Sequence, residues 1–360
     1  MRELKFEELE ALAIGAGVLG TGGGNHPHLE LMCAEEDYRR GKRIRLIDPL
    51  ELADDARVAV VCIMGAPLVT KERLPEPIAI QRAVKLMEEH TGKPFDAIMS
   101  IEIGGENAFF AMLVGMELGL PVVDADTMGR AFPEAQMASF AIRGLSVAPF
   151  AIADIRHNAV LIPVAENAER VERIGRKAVI ELGSIAGTCA APRSGREIKD
   201  HAILNSVGRA LAIGNAVLEA RKSGTDPITA VLAVEKGALL FAGKIQDVAR
   251  RTTDGFVRGR ATVLGKDAFV GRTLEIDFQN EFSVAWLDGE RVACVPDLIT
   301  VLDEETAEAI GTEVLRYGQR VAIVALPADP IMTSLQGLAK VGPRAFGFDF
   351  DYQSFEEVPA

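Results

Sequence analysis

Apolar residues recur at helical spacing from the start of the chain (Leu4, Leu9, Leu12, Ala13), which predicts a helix over residues 3–14. The period then changes. Ile44–Ile47 and Arg57–Met64 are compact apolar runs and read as strands, followed by a loop with Pro67, Pro75 and Pro77. Ile80, Val84 and Met87 put one apolar face on a helix from Ile78 to His90. Phe95–Asn107 reads as a strand feeding the Gly104-Gly105 turn. Ala108–Leu118 follows as a helix, and Val122-Val123 as a buried strand ending on Asp124-Ala125-Asp126. Val147–Asp154 and Ala159–Val164 form a strand pair. Such alternation predicts an α/β fold, with a mostly parallel sheet and flanking helices in the N-terminal half.

From Ala165 the pattern shifts. Glu166–Leu182 is an amphipathic helix with Val171, Ile174 and Ala178 inward. A small-residue segment, Ile185–Gly195, leads to a helix over Lys199–Lys222, stopped by Gly224. Gly208 and Gly214 inside it point to close packing on another backbone. Asp226-Pro227 opens one more helix, to about Leu239. Short strand-like runs then fill residues 241–328, with Asp288-Gly289 as a hairpin turn, and predict a β-rich barrel- or sandwich-like second domain. The division expected is an α/β domain over 1–164, then a helical linker region and β-rich domain over 165–360.

Composition narrows the function classes. The 360 residues are 48% hydrophobic and 25% charged, too much for one compact core, so two domains are expected. Ala108–Val123, the richest apolar stretch, is interrupted by Glu117 and Gly119, which argues against a membrane span. Met1–Glu8 has no apolar h-region, so no secretory signal is expected there. Net charge is −13 and the 39 basic residues form no long cluster, so nucleic acid is a poor partner. Cys33, Cys62, Cys189 and Cys294 are widely spaced and suit a cytoplasmic protein with free thiols. Cys62 reads as core. A small-molecule substrate and a homo-oligomer are the expected partners.

Candidate chemistry centres on Val122–Glu134. A buried strand there delivers Asp124 and Asp126 to its C-terminal end, with Arg130 and Glu134 close behind. Ligands bind at such strand ends in open α/β sheets. Turn capping, with pairing to Arg130, is the competing role. Glu102 and Asn107 flank a second strand end. Gly15, Gly17 and Gly20 spell a dinucleotide fingerprint with Asp48 as the ribose acid, but a predicted helix precedes them where a strand is required. A better use of this region is the backbone of Thr21–Gly24, whose successive N–H groups can face an anion. Beside it, Asn25 tolerates left-handed angles, and His26 and His28 suit a divalent metal such as zinc or acid–base work, with solvated loop histidines the competing role. Cys189 lies in a small-residue stretch before a predicted helix, whose dipole could partly activate a thiol, but with no base visible beside it packing is the favoured role. Phe278-Gln279-Asn280-Glu281 is a polar interruption, a solvated bulge or a segment facing a cleft, and Asp297 is a strand-end acid or equally a turn former. Lys244, Arg250, Arg251, Arg258 and Arg260 mostly alternate, as on a solvated face.

Taken in order, the glycine loop near residue 21, Ile103–Asn107, Asp124–Glu134, Gly187-Thr188, Arg251–Phe256, Phe278–Glu281 and Pro296–Ile299 resemble the S-methyl thiohydantoin desulfurase family, which is associated with hydantoinase/oxoprolinase-type proteins. The resemblance covers almost the whole chain. It implies hydrolytic removal of sulfur from C2 of a thiohydantoin, leaving a hydantoin and a thiol, in bacterial catabolism of sulfur-containing histidine derivatives. Under that implication Asp124 or Asp126 serves as base, and Glu102, Glu134 or His26 as acid. Gly22, Gly23, Gly24, Asn107, Arg130, Thr188, Asn280 and Glu281 would contact the ring, with Arg130 or Arg193 for a carboxylate tail. An NAD-linked oxidoreductase and a non-catalytic partner of a hydantoinase-type enzyme are the alternatives.

Overall fold

The computed structural model describes residues 1–24, 26–65, 69–70, 72–253 and 256–357; Asn25, Pro67, Asp254 and Gly255 lie outside them. The chain divides into two units. The first comprises Met1–Leu9, Pro27–Gly129 and Glu134–Gly208; the second comprises Glu10–His26, Arg130–Pro133 and Arg209–Ala360.

The first unit is built on a mixed sheet. Arg45–Ile47, Val122–Val123, Ala97–Ser100 and Arg57–Gly65 lie side by side and parallel. The helices Pro77–Thr91 and Glu106–Leu118 supply the crossovers that parallel neighbours require. Beyond Arg57–Gly65 the sheet turns antiparallel through Ile185–Cys189, Phe150–Ala153 and Ala159–Ile162. Arg2–Glu3 and Arg193–Ser194 also pair antiparallel. The mostly parallel sheet expected from the alternation is thus corrected to a parallel core with antiparallel flanks. The reason is local: a short turn through His157, at φ 68°, joins the last two strands, and a hairpin can only pair antiparallel.

The small residues of Ile185–Cys189 have a packing cause. A Cβ on Gly187 would fall 2.2 Å from the Ile80 nitrogen, so helix Pro77–Thr91 lies directly on this strand. The helix expected over Lys199–Lys222 is split. A capping box between Ser194 and Glu197 starts a helix at Gly195–His201. Ile203–Leu204 then pairs with Ala125–Asp126, and Asn205, at φ 61°, turns the chain into helix Ser206–Ser223.

In the second unit, helix Glu8–Leu19 extends past the predicted end and contains Gly15 and Gly17. Here they are contact points. A Cβ on Gly15 would lie 1.8 Å from the Ala210 carbonyl oxygen, and one on Gly214 would lie 1.7 Å from that of Ala11. The dinucleotide fingerprint therefore fails, because its first glycines sit inside a helix and form no strand-to-helix turn. The β-rich region is one antiparallel sheet, curled as a half-barrel. Its order is Glu290–Cys294, Glu281–Leu287, Thr273–Gln279, Phe256–Gly265, Ala238–Thr253, Arg320–Leu326, Leu298–Asp303. Phe241, Ile245, Ile276, Phe282, Ile299 and Ile323 fill its core. Among the described residues no helix is long and apolar enough to cross a membrane.

Candidate functional site at the strand ends of the first unit

Polar side chains of the first unit gather where its sheet changes from parallel to antiparallel. Glu102 follows strand Ala97–Ser100 and is 8% exposed. Its Oε1 accepts from Asn107 Nδ2 at 2.6 Å, while Asn107 Oδ1 accepts from the Ile63 N–H at 2.8 Å. The carboxylate is thus oriented by an amide that is itself clamped to a strand. Ser100 Oγ donates to the Glu102 carbonyl at 2.6 Å and stiffens the same turn. Across the seam Thr188 Oγ1 donates to the Cys62 carbonyl at 3.1 Å and lies 3.1 Å from its sulfur. Burial pushes the Cys62 thiol up to about 12, and the charges of Glu102 and Glu172 add to the rise. Cys62 therefore stays a neutral thiol.

The two aspartates do different work. Asp124 Oδ1 accepts from the N–H groups of Val207 and Gly208, at 2.8 and 3.1 Å, and so caps helix Ser206–Ser223. Burial raises its pKa, against the pull of those two N–H groups. Asp126 is fully buried; its Oδ2 accepts from Ile103, Met128 and Gly129 N–H groups at 2.9, 3.2 and 2.8 Å. It organises both strand-end turns at once. Burial lifts its pKa to about 7, opposed by the three N–H groups and by the Ser206 hydroxyl nearby. That hydroxyl closes no hydrogen bond of regular geometry. Glu134 contacts Gln136, and Glu172, in helix Ala168–Glu181, holds Arg176 at 2.5 Å and the Ala135 N–H at 3.1 Å. The Arg193 guanidinium lies over Phe140 at 4.7 Å and donates to the Ser146 carbonyl. Burial lowers its pKa.

The other expected site residues are in the second unit. Arg130 is 1% exposed and donates to Thr21 Oγ1 (2.8 Å) and the carbonyls of Ala131 (3.1 Å), Pro296 (3.1 Å) and Asp297 (2.8 Å). Its guanidinium works as an internal tie. The glycine turn does not offer a row of amides, because the N–H groups of Gly23 and Gly24 both point back to the Gly20 carbonyl. Gly22 and Gly23 are needed for closeness: a Cβ would meet the Phe282 ring at 2.4 Å and Glu281 Oε1 at 2.1 Å, respectively. Asn280, at φ 59°, is a turn residue whose Oδ1 accepts from the Val257 N–H at 2.9 Å. Burial raises the pKa of Asp297 to about 6; its carboxylate takes the Tyr352 hydroxyl at 3.0 Å and the Phe355 N–H at 3.1 Å. His26 is half-buried, and His28, which belongs to the first unit, begins helix His28–Arg39 and is exposed. Among the described residues no three His, Cys, Asp or Glu side chains converge as a metal set, so the expected zinc pair gains no third ligand there.

Two sequence models span this chain: the S-Me-THD-like N-terminal domain matches residues 7–164, and the S-Me-THD-like C-terminal domain matches residues 166–355. The chain belongs to the S-Me-THD-like family. A crystal structure of a protein from Chromobacterium violaceum is similar in fold, with a TM-score of 0.81 at 24% identity, covering 98% of this chain and 99% of that one. No curated protein matches.

Within this S-Me-THD-like chain, the structure brings Glu102, Asn107 and Thr188 together and adds Cys62, which the sequence reading assigned to the core. Nothing in Val58–Met64 marks Cys62 apart from its neighbours; only the register with Thr188 does. Of the two roles open to Cys189, packing is the one that fits. Cys189 lies in a strand, fully buried, and burial raises its pKa.

Glu30, Asp126 and Asp297 share a pH consequence, since burial raises their pKa values to about 7, 7 and 6. A carboxyl whose folded pKa exceeds its unfolded value binds more protons when folded, so stability rises as pH falls through the folded pKa. The melting temperature is expected to be higher at about pH 5.5 than at about pH 8. A flat or opposite trend in a thermal scan would show these groups to be solvated.

Proposed function

We propose that this chain hydrolyses the carbon–sulfur bond at C2 of a thiohydantoin or related five-membered cyclic amide, in the breakdown of sulfur-containing histidine derivatives. Water adds to C2, the tetrahedral intermediate collapses, and a hydantoin and a thiol leave. The observation that carries this reading, beside family membership over both domains, is the Glu102 carboxylate held by Asn107 at the strand ends. Addition of water requires a base, and loss of thiolate requires a proton; one oriented carboxyl can take the first and return the second. Asn107 and Thr188 are the positioning residues in this scheme, with Asp126 holding the turn that carries Glu102 through the Ile103 N–H. The test is release of methanethiol or hydrogen sulfide from a panel of rings bearing C2–S–methyl, C2=S or C2=O. Release from the sulfur-bearing members is the expected result. A purified chain that releases none, yet binds a hydantoinase-type enzyme stably, would replace this reading with that of a non-catalytic partner.

A further inference from the structure

The second unit carries a groove of about 570 Å³ on one face of its half-barrel sheet, within the size range of small-ligand sites. Strand register sets its chemistry. Arg251 lies directly opposite Arg258, and Arg258 directly opposite Gln279, so the three form one row across three strands and point to the same side. Like charges placed opposite one another destabilise a sheet. The other two arginines lining the groove are engaged. Arg260 grips Asp277 with two bonds of 2.7 and 2.8 Å and reaches Glu275 at 3.1 Å, and Arg250 donates to the Glu313 carbonyl at 2.6 Å. Arg251 and Arg258 are exposed and have no carboxylate partner among the described residues. In a chain of net charge −13, an opposed cation pair with no carboxylate partner among the described residues runs against the composition. Gly259, between Arg258 and Arg260, lets its strand lie close on the Ala249 carbonyl oxygen and the Phe278 ring, which a Cβ would meet at 2.1 and 2.4 Å. The half-exposed rings of Phe346 and Phe348 form its wall.

We infer that this groove binds a small phosphate monoester carrying a flat ring. The dianionic phosphoryl group bridges Arg251 and Arg258, the ring lies against Phe346 or Phe348, and the Gln279 amide meets its polar edge. Two opposed guanidiniums match a dianion better than a single carboxylate, and their planar forks suit phosphate oxygens. All these residues belong to the second unit, so the inference is independent of the proposed reaction.

Calorimetric titration of the full chain with adenosine 5′-monophosphate, inorganic phosphate, adenosine and benzoate tests it. The monophosphate is expected to bind most tightly, inorganic phosphate more weakly, and adenosine and benzoate at least about tenfold more weakly than the monophosphate. Arg251→Met with Arg258→Met should remove monophosphate binding, while Arg196→Gln, which breaks an exposed pair with Asp54, leaves it unchanged. In phosphate-free buffer Arg258→Gln is expected to melt no lower than the parent chain, because it relieves the opposed charges. Added phosphate should raise the melting temperature of the parent but not of the double variant. Absent monophosphate binding, benzoate or adenosine binding as tight as the monophosphate's, or a double variant that still binds would each overturn the inference. A lower-melting Arg258→Gln would do the same.

Discussion

Glu102→Gln is expected to cut thiol release by roughly 10²- to 10⁴-fold, with an unchanged melting temperature. Glutamine keeps the shape of the side chain and an oxygen that can still accept from Asn107 Nδ2, so the turn and its hydrogen bond survive. What it loses is the ability to take and return a proton. Asp124→Asn is the informative contrast. Its side-chain oxygen still caps Val207 and Gly208, so release should stay within a few-fold of the parent rate by the near-equivalence of Asp and Asn as caps. Initial rates of thiol release on a C2-methylthio ring check both. Full activity in Glu102→Gln, or loss confined to Asp124→Asn, would move the proton-transfer role from Glu102 to Asp124.

The strand ends were legible because a buried strand must stop where its polar residues begin. Val122-Val123 before Asp124 announces its own boundary, whereas the strand read over Phe95–Asn107 ends earlier, at Ser100. What a carboxylate does there was not legible. Asp124 and Asp126 are two residues apart and look equivalent. Yet one caps a helix that begins over eighty residues later, and the other folds inward onto three amides. Such partners are set by tertiary pairing, which no local period encodes. The same limit explains the split helix. Apolar spacing runs unbroken through Ile203 and Val207, while pairing of Ile203–Leu204 with Ala125–Asp126 decides the break at Asn205. Alternation of Arg251, Arg258 and Arg260 did predict an exposed face, as found. That two of them stand opposed depends on the hairpin register, which the alternation leaves open.

Arg130→Met is expected to cost about 3–5 kcal/mol of folding stability, the range for breaking a buried charged hydrogen-bond network. Methionine can replace much of the arginine stem, so the loss would come from the guanidinium. With it go the donors to Thr21 Oγ1 and to the carbonyls of Ala131, Pro296 and Asp297, and the stacking on Phe132 at 4.5 Å. Arg130→Lys should recover little, because one ammonium cannot reach the Thr21 hydroxyl and the two strand-end carbonyls together. A pH signature separates this tie from simple packing. Arg130 also holds down the pKa of Asp297, which burial has already raised to about 6. Without the cation that pKa rises further, so the variant's deficit is greatest above it, where the carboxylate must stay charged. The deficit shrinks as pH falls and the group takes its proton. Urea unfolding at about pH 7.5 and about pH 5 measures both, with a smaller deficit expected at the lower pH. A deficit below about 1 kcal/mol at both would mean that the glycine turn and the Pro296-Asp297 carbonyls do not depend on the guanidinium.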